Sequence, residues 1–73
     1  MANISQRFGR AVRKRRESSE LSQEAFATVA KIDRTYYSKI ERGRANVSLL
    51  VIERVVKALG VDLADLFADV DKE

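Results

Sequence analysis

The sequence predicts an all-α domain of five short helices. Apolar residues recur at helical spacing along nearly the whole 73-residue chain, and no segment shows sustained two-residue alternation. The helices are punctuated by small polar residues that cap N-termini (Ser22, Asp33, Ser48 and Asp62) and by glycines suited to C-terminal stops (Gly43 and Gly60).

In the first helix, predicted from about Ser5 to Glu17, Ile4, Phe8, Ala11 and Val12 fall on one stripe. Arg7, Arg10, Arg13 and Lys14 lie largely on other faces. The polar run 17–20 closes it. Ser22 opens a second helix to about Ala30, with Phe26, Ala27 and Ala30 inward. Asp33 opens a third through about Arg42, which Gly43 ends in the left-handed conformation. Ser48 caps a fourth, whose stripe is Leu49, Ile52, Val55, Val56 and Leu59. Asp62 caps a short fifth helix carrying Leu63, Leu66 and Phe67, with fraying expected over residues 70–73.

A core this small supplies only roughly 3–5 kcal/mol of net stability. The chain has no Cys and no His, so neither a disulfide nor a zinc site makes up the difference. Oligomerisation is the remaining stabiliser, and a homodimer is expected. The absence of Cys suits a reducing compartment. No apolar run approaches the roughly 20 residues of a membrane span, and the N-terminal stretch lacks a signal-peptide core. The expected location is cytoplasmic, with no membrane partner.

Charge is unevenly distributed. Residues 1–60 carry thirteen Lys/Arg against six acids, +7, whereas residues 61–73 carry Lys72 against five acids, −4. A basic body with an acidic tail suits a polyanionic partner on one surface with the other end free. An enzyme is disfavoured, because no His or Cys is available as base, nucleophile or metal ligand and no Gly-rich phosphate loop is present. No cofactor or metal is expected.

The informative stretch is residues 21–43, LSQEAFATVAKIDRTYYSKIERG. Two short helices are separated by only three or four residues, which forces a steep crossing and leaves the outer face of the second exposed. Ala27 provides the small residue that close approach needs, Ile32 plugs the joint, and Ile40 anchors the second helix.

This segment resembles the helix-turn-helix of the Xre/phage-repressor family, and the likeness spans about Phe8 to Phe67. The pieces that carry it are LSQEAFA, IDRTYYSKIERG and SLLVIERVVKALGV. Chain length, DRTYYSKIERGRAN and the terminal DLADLF are similar to the controller proteins of bacterial restriction–modification systems. The resemblance implies a lambda-repressor-like DNA-binding domain that regulates transcription as activator, repressor or both. Two positions depart from the family pattern. Lys31 stands where Gly is usual, which points to a different turn geometry, since positive φ would cost a Lys about 1 kcal/mol. Val47 stands where Pro is frequent.

In such motifs the start of the second helix enters the major groove. Arg34 offers a guanidinium fork to O6 and N7 of guanine, and Thr35 a hydroxyl and a methyl. Tyr36, Ser38 and Lys39 complete the base-contact candidates. Gln23 resembles the family's phosphate-clamping glutamine at a helix N-terminus. Arg42, Arg44 and Asn46 are placed along the sugar-phosphate backbone, and the Arg13–Arg16 run is a further candidate for phosphate contact or a solvated helix end. Tyr37 is assigned to the core with its hydroxyl at the rim, and Glu41 to a structural pairing with an Arg.

Val61, Leu63, Leu66 and Phe67 are assigned to a two-fold interface. A dimer would set two recognition helices about 34–36 Å apart and predicts a pseudo-palindromic double-stranded DNA operator. The rival reading is an antitoxin or bridging-type protein-interaction module, with the acidic tail offering contacts to RNA polymerase or a toxin.

Overall fold

The computed structural model describes residues 2–73. It contains α1 (Ile4–Ser18), α2 (Gln23–Ala30), α3 (Arg34–Glu41), α4 (Leu49–Leu59) and α5 (Leu63–Lys72), with no strand among the described residues. Of the predicted capping residues, Ser22, Asp33 and Ser48 accept from the backbone N–H groups of Ala25, Tyr36 and Val51, whereas at the start of α5 it is the Asp65 carboxylate that accepts from the Asp62 backbone N–H. α1 is longer than expected because Asn3 caps it, exchanging hydrogen bonds with Gln6 in a capping box.

α1 is the centre of the arrangement, packing against both α3 and α5, while α2 packs against α3 and α4. Gly9 explains how closely α1 meets α3. A Cβ there would collide with the backbone carbonyl oxygens of Ile40 and Glu41, so only glycine lets the end of α3 settle onto α1. The core joins Phe8 and Val12 of α1, Phe26 of α2, Tyr37 and Ile40 of α3, Val55 of α4, and Leu66 and Val70 of α5. Phe26 and Tyr37 pack tilted with ring centroids 5.0 Å apart, locking α2 to α3. Ala27 and Ile32 are buried in the joint as the spacing requires.

Several expectations are corrected. Residues 70–73 do not fray. α5 runs to Lys72, Val70 is 1% exposed, and Glu73 pairs with Lys14 at 2.8 Å. The acidic tail is therefore not free, since Asp69 also pairs with Arg15 on α1. Leu49, read as part of the α4 stripe, is 83% exposed, and Ile4 is exposed too, because each begins its helix beyond the edge of the core. Leu66, read as an interface residue, is fully buried within its own chain, so it has no surface to give a partner.

Lys31 does take the left-handed conformation (φ 59°, ψ 43°) at the end of α2, so the turn keeps its geometry without glycine. Its N–H groups are satisfied in the usual way, with Ile32 N–H reaching back to Ala27. Because the side chain is exposed, Lys31→Gly should remove about 1 kcal/mol of backbone strain. The expected readout is a Tm several degrees higher by circular dichroism. An unchanged or lower Tm would show that the glycine's greater unfolded-state entropy outweighs the strain.

Among the described residues, no helix is long and apolar enough to cross a membrane, and no group of His, Cys, Asp or Glu could hold a metal ion.

Candidate nucleic-acid interface

α3 is set from behind by a buried ionic network. Tyr37 and Ile40 fix one face in the core, and Glu41 at its C-terminal end is buried with them. The Glu41 carboxylate accepts from Arg16 Nε at 2.6 Å and Nη2 at 3.1 Å, a bidentate pair. It accepts also from the Tyr37 hydroxyl and from Gln23 Nε2, the latter at 2.9 Å. Arg16 spends a further N–H on the Leu21 carbonyl at 2.7 Å, tying in the turn that leads to α2. No buried side-chain nitrogen or oxygen among the described residues lacks a partner. Glu41 is thus the structural acid expected. The Tyr37 hydroxyl lies inside the network and not at the rim, and burial together with the bond to Glu41 pushes the phenol well up.

With its inner face so held, α3 turns Arg34, Thr35 and Lys39 outward, with Ser38 half-buried beside them. Arg34, Thr35, Ser38 and Arg42 line one open cleft of about 160 Å³ together with Gln23 from the start of α2. Five of the nine predicted DNA-facing residues therefore converge on one hollow between two helices. Lys39 is exposed on the same helix outside that cleft. Tyr36 is half-buried and packs partly against the core. Arg44 is exposed in the loop after α3, where Gly43 takes φ 72° against Gln6 of α1. Asn46 sits apart from the cleft, lining an apolar hollow with Ile4, Phe8, Val47, Ile52 and Phe67.

Arg13, Lys14, Arg15 and Arg16 each meet a carboxylate, those of Glu17, Glu73, Asp69 and Glu41 respectively. Within the Arg13–Arg16 run, Arg16 is structural, while Arg13 and Lys14 keep mostly exposed side chains despite their ion pairs. Among the described residues, Arg34, Lys39, Arg42 and Arg44 have no carboxylate at ion-pair distance. Arg7, Arg10, Lys31, Arg54 and Lys72 likewise have none, so α3 and the loop after it hold four of the nine unpaired cations among the described residues. Sequence reasoning missed Arg16 and Glu41 as a pair, because they are 25 positions apart and Arg16 sits in a run that reads as surface.

The helix-turn-helix family pattern matches residues 12–66. The chain is 49% identical over 74 residues to the control protein C.MunI of a Mycoplasma species, covering 100% of both chains. Among solved structures it is similar to the restriction-modification controller protein C.AhdI of Aeromonas hydrophila. That match has 38% identity, a TM-score of 0.84, and covers 86% of this chain and 96% of that one. It is similar also to the controller protein C.Esp1396I, solved as a tetramer in complex with its natural 35 base-pair operator. There the identity is 28%, the TM-score 0.89, and the coverage 99% of this chain and 95% of that one.

Proposed function

This chain belongs to the helix-turn-helix family, among the control proteins of restriction–modification systems, and we propose that it is a dimeric, sequence-specific DNA-binding regulator of transcription. The observation that carries the reading is the outward face of α3. It holds unpaired cations and hydroxyls beside Gln23 on a helix braced from behind. A helix so placed fits the major groove, with its first turn toward base edges. Arg34 and Thr35 occupy that first turn and read bases, joined by Tyr36, Ser38 and Lys39. Gln23, Arg42 and Arg44 hold the sugar-phosphate backbone, which fixes register more than it selects sequence. Asn46 is withdrawn from that set because it lines the apolar hollow away from the cleft. The place of work is the cytoplasm, where the DNA is.

The two-fold interface is built on Val61, Leu63 and Phe67. Leu63 is 49% and Phe67 38% exposed, large apolar groups left open along one end of the molecule. Leu66 is withdrawn from that set, being core. Asp62, Asp65 and Asp71 remain exposed on the same helix, a surface for RNA polymerase once the dimer sits on DNA. Leu63→Glu should fold, since the position is half open, yet sediment as a monomer and bind operator far more weakly. An unchanged sedimenting mass would put the interface elsewhere.

Arg34→Ala tests base reading, using a duplex that the wild-type protein enriches from a random pool and a scrambled duplex of equal composition. The expected loss is about 1–3 kcal/mol on the enriched duplex, with relaxed preference at one base pair. Equal weakening on both duplexes would make Arg34 a phosphate contact.

A further inference from the structure

We infer that Glu41 is a positioning residue for DNA binding, holding the Gln23 side-chain amide in place at the mouth of the cleft between α2 and α3. The inference rests on the reading of Gln23 as a phosphate ligand. The Glu41 side chain is 2% exposed, so it touches no DNA itself, and Arg16 and Tyr37 fix its two oxygens from within. Its remaining partner is Gln23 Nε2, which donates to Oε1. A carboxylate only accepts, so the Gln23 amide has one orientation available there: the NH2 group faces Glu41. One N–H is used by that bond, and the second is left to donate to an anion.

Two consequences favour a role in binding over packing alone. Gln23 is only half-buried, and ordering a free glutamine side chain costs rotamer entropy. Fixing it in the free protein means that this cost is not met again when a phosphate arrives. A carboxylate beside a phosphate site would repel the ligand, but the bidentate Arg16 cancels that charge. The cleft keeps the positive sign supplied by Arg34 and Arg42. One buried residue at the end of α3 thereby sets both the seat of the recognition helix and the phosphate-facing start of α2.

The test compares affinity for an enriched duplex in Gln23→Ala, Glu41→Gln and the double variant, at a temperature where circular dichroism shows each to be folded. Each single change should weaken binding about tenfold, the size of a hydrogen bond to a charged group, and the double variant no more than either. Losses that multiply, or an unaffected Glu41→Gln, would overturn the positioning role while leaving Gln23 as a ligand. An unaffected Gln23→Ala would remove the phosphate reading and the inference with it. Should Glu41→Gln not fold, the wild-type protein answers directly by 15N NMR without DNA. A rigid Gln23 side-chain amide with widely separated proton shifts is expected, and a mobile, averaged one would overturn the inference.

Discussion

Arg16→Ala should destabilise the protein by about 3–5 kcal/mol, because it leaves the Glu41 carboxylate buried without its counter-charge. A core of this size supplies only roughly 3–5 kcal/mol of net stability. The variant should therefore be marginal at room temperature. Its pH dependence should also reverse. In the wild type, burial pushes the Glu41 carboxyl up, but hydrogen bonds from Arg16, Tyr37 and Gln23 outweigh it and hold the carboxyl below its ordinary range. A depressed folded-state value gives stability that is present above the ordinary glutamate range and lost as pH falls through the folded value. Without Arg16, burial dominates and the carboxyl is raised. Such a group is better tolerated below its ordinary range and destabilises as pH rises through the folded value. Urea denaturation at neutral pH and near pH 5, about half a unit above the ordinary glutamate range, should then show the gap between wild type and variant narrowing on acidification. A gap of equal size at both would mean that Glu41 is not the group left uncompensated.

Leu66→Glu should abolish cooperative folding. Leu66 is fully buried where α5 joins the core, so the substitution opens a packing defect and forces in a carboxylate with no cation prepared for it. The combined loss is several kcal/mol, comparable to everything the domain has. Leu66→Met, similar in volume, should cost less than about 1.5 kcal/mol. A Leu66→Glu protein that kept a sharp melting transition would show that α5 is dispensable to the fold. The contrast with Leu63→Glu separates core from interface within one turn of the same helix.

That contrast also shows where the sequence stops being informative. Leu63, Leu66, Phe67 and Val70 form a single apolar stripe at helical spacing, and spacing does not say which edge of it another helix covers. The position of α1 decides, burying Leu66 and Val70 and leaving Leu63 and Phe67 open. Helix starts were legible because a cap is a local bond, made within three residues of the chain. Ser22, Asp33 and Ser48 needed no tertiary knowledge. Long-range pairs were not legible. The Lys14–Glu73 contact joins residues 59 positions apart, and with Val70 buried in the core the expected loose end is ordered helix.

The candidate interface follows the same division. Arg34, Thr35 and Ser38 could be placed on one exposed face from the spacing between Asp33 and the anchoring Ile40. Their meeting with Gln23 depends on the α2–α3 crossing, for which Ala27 and Ile32 were the signals. Asn46 was placed by its nearness in sequence to the recognition helix, and the loop carries it to an apolar hollow instead. Lys31 shows that a residue unsuited to a turn does not forbid it. The buried joint around Ala27, Ile32 and Ile40 holds the backbone at φ 59° against a penalty of about 1 kcal/mol.

On this reading, paired copies of this chain present their α3 faces to a specific duplex sequence. Selection of bound duplexes from a random pool, repeated at two salt concentrations, tests it most directly. An enriched pseudo-palindrome is expected, with half-sites about one helical turn apart and a preference that survives the higher salt even as affinity falls. Retention without enrichment, vanishing as salt rises, would contradict it and leave only the attraction of a basic surface for a polyanion.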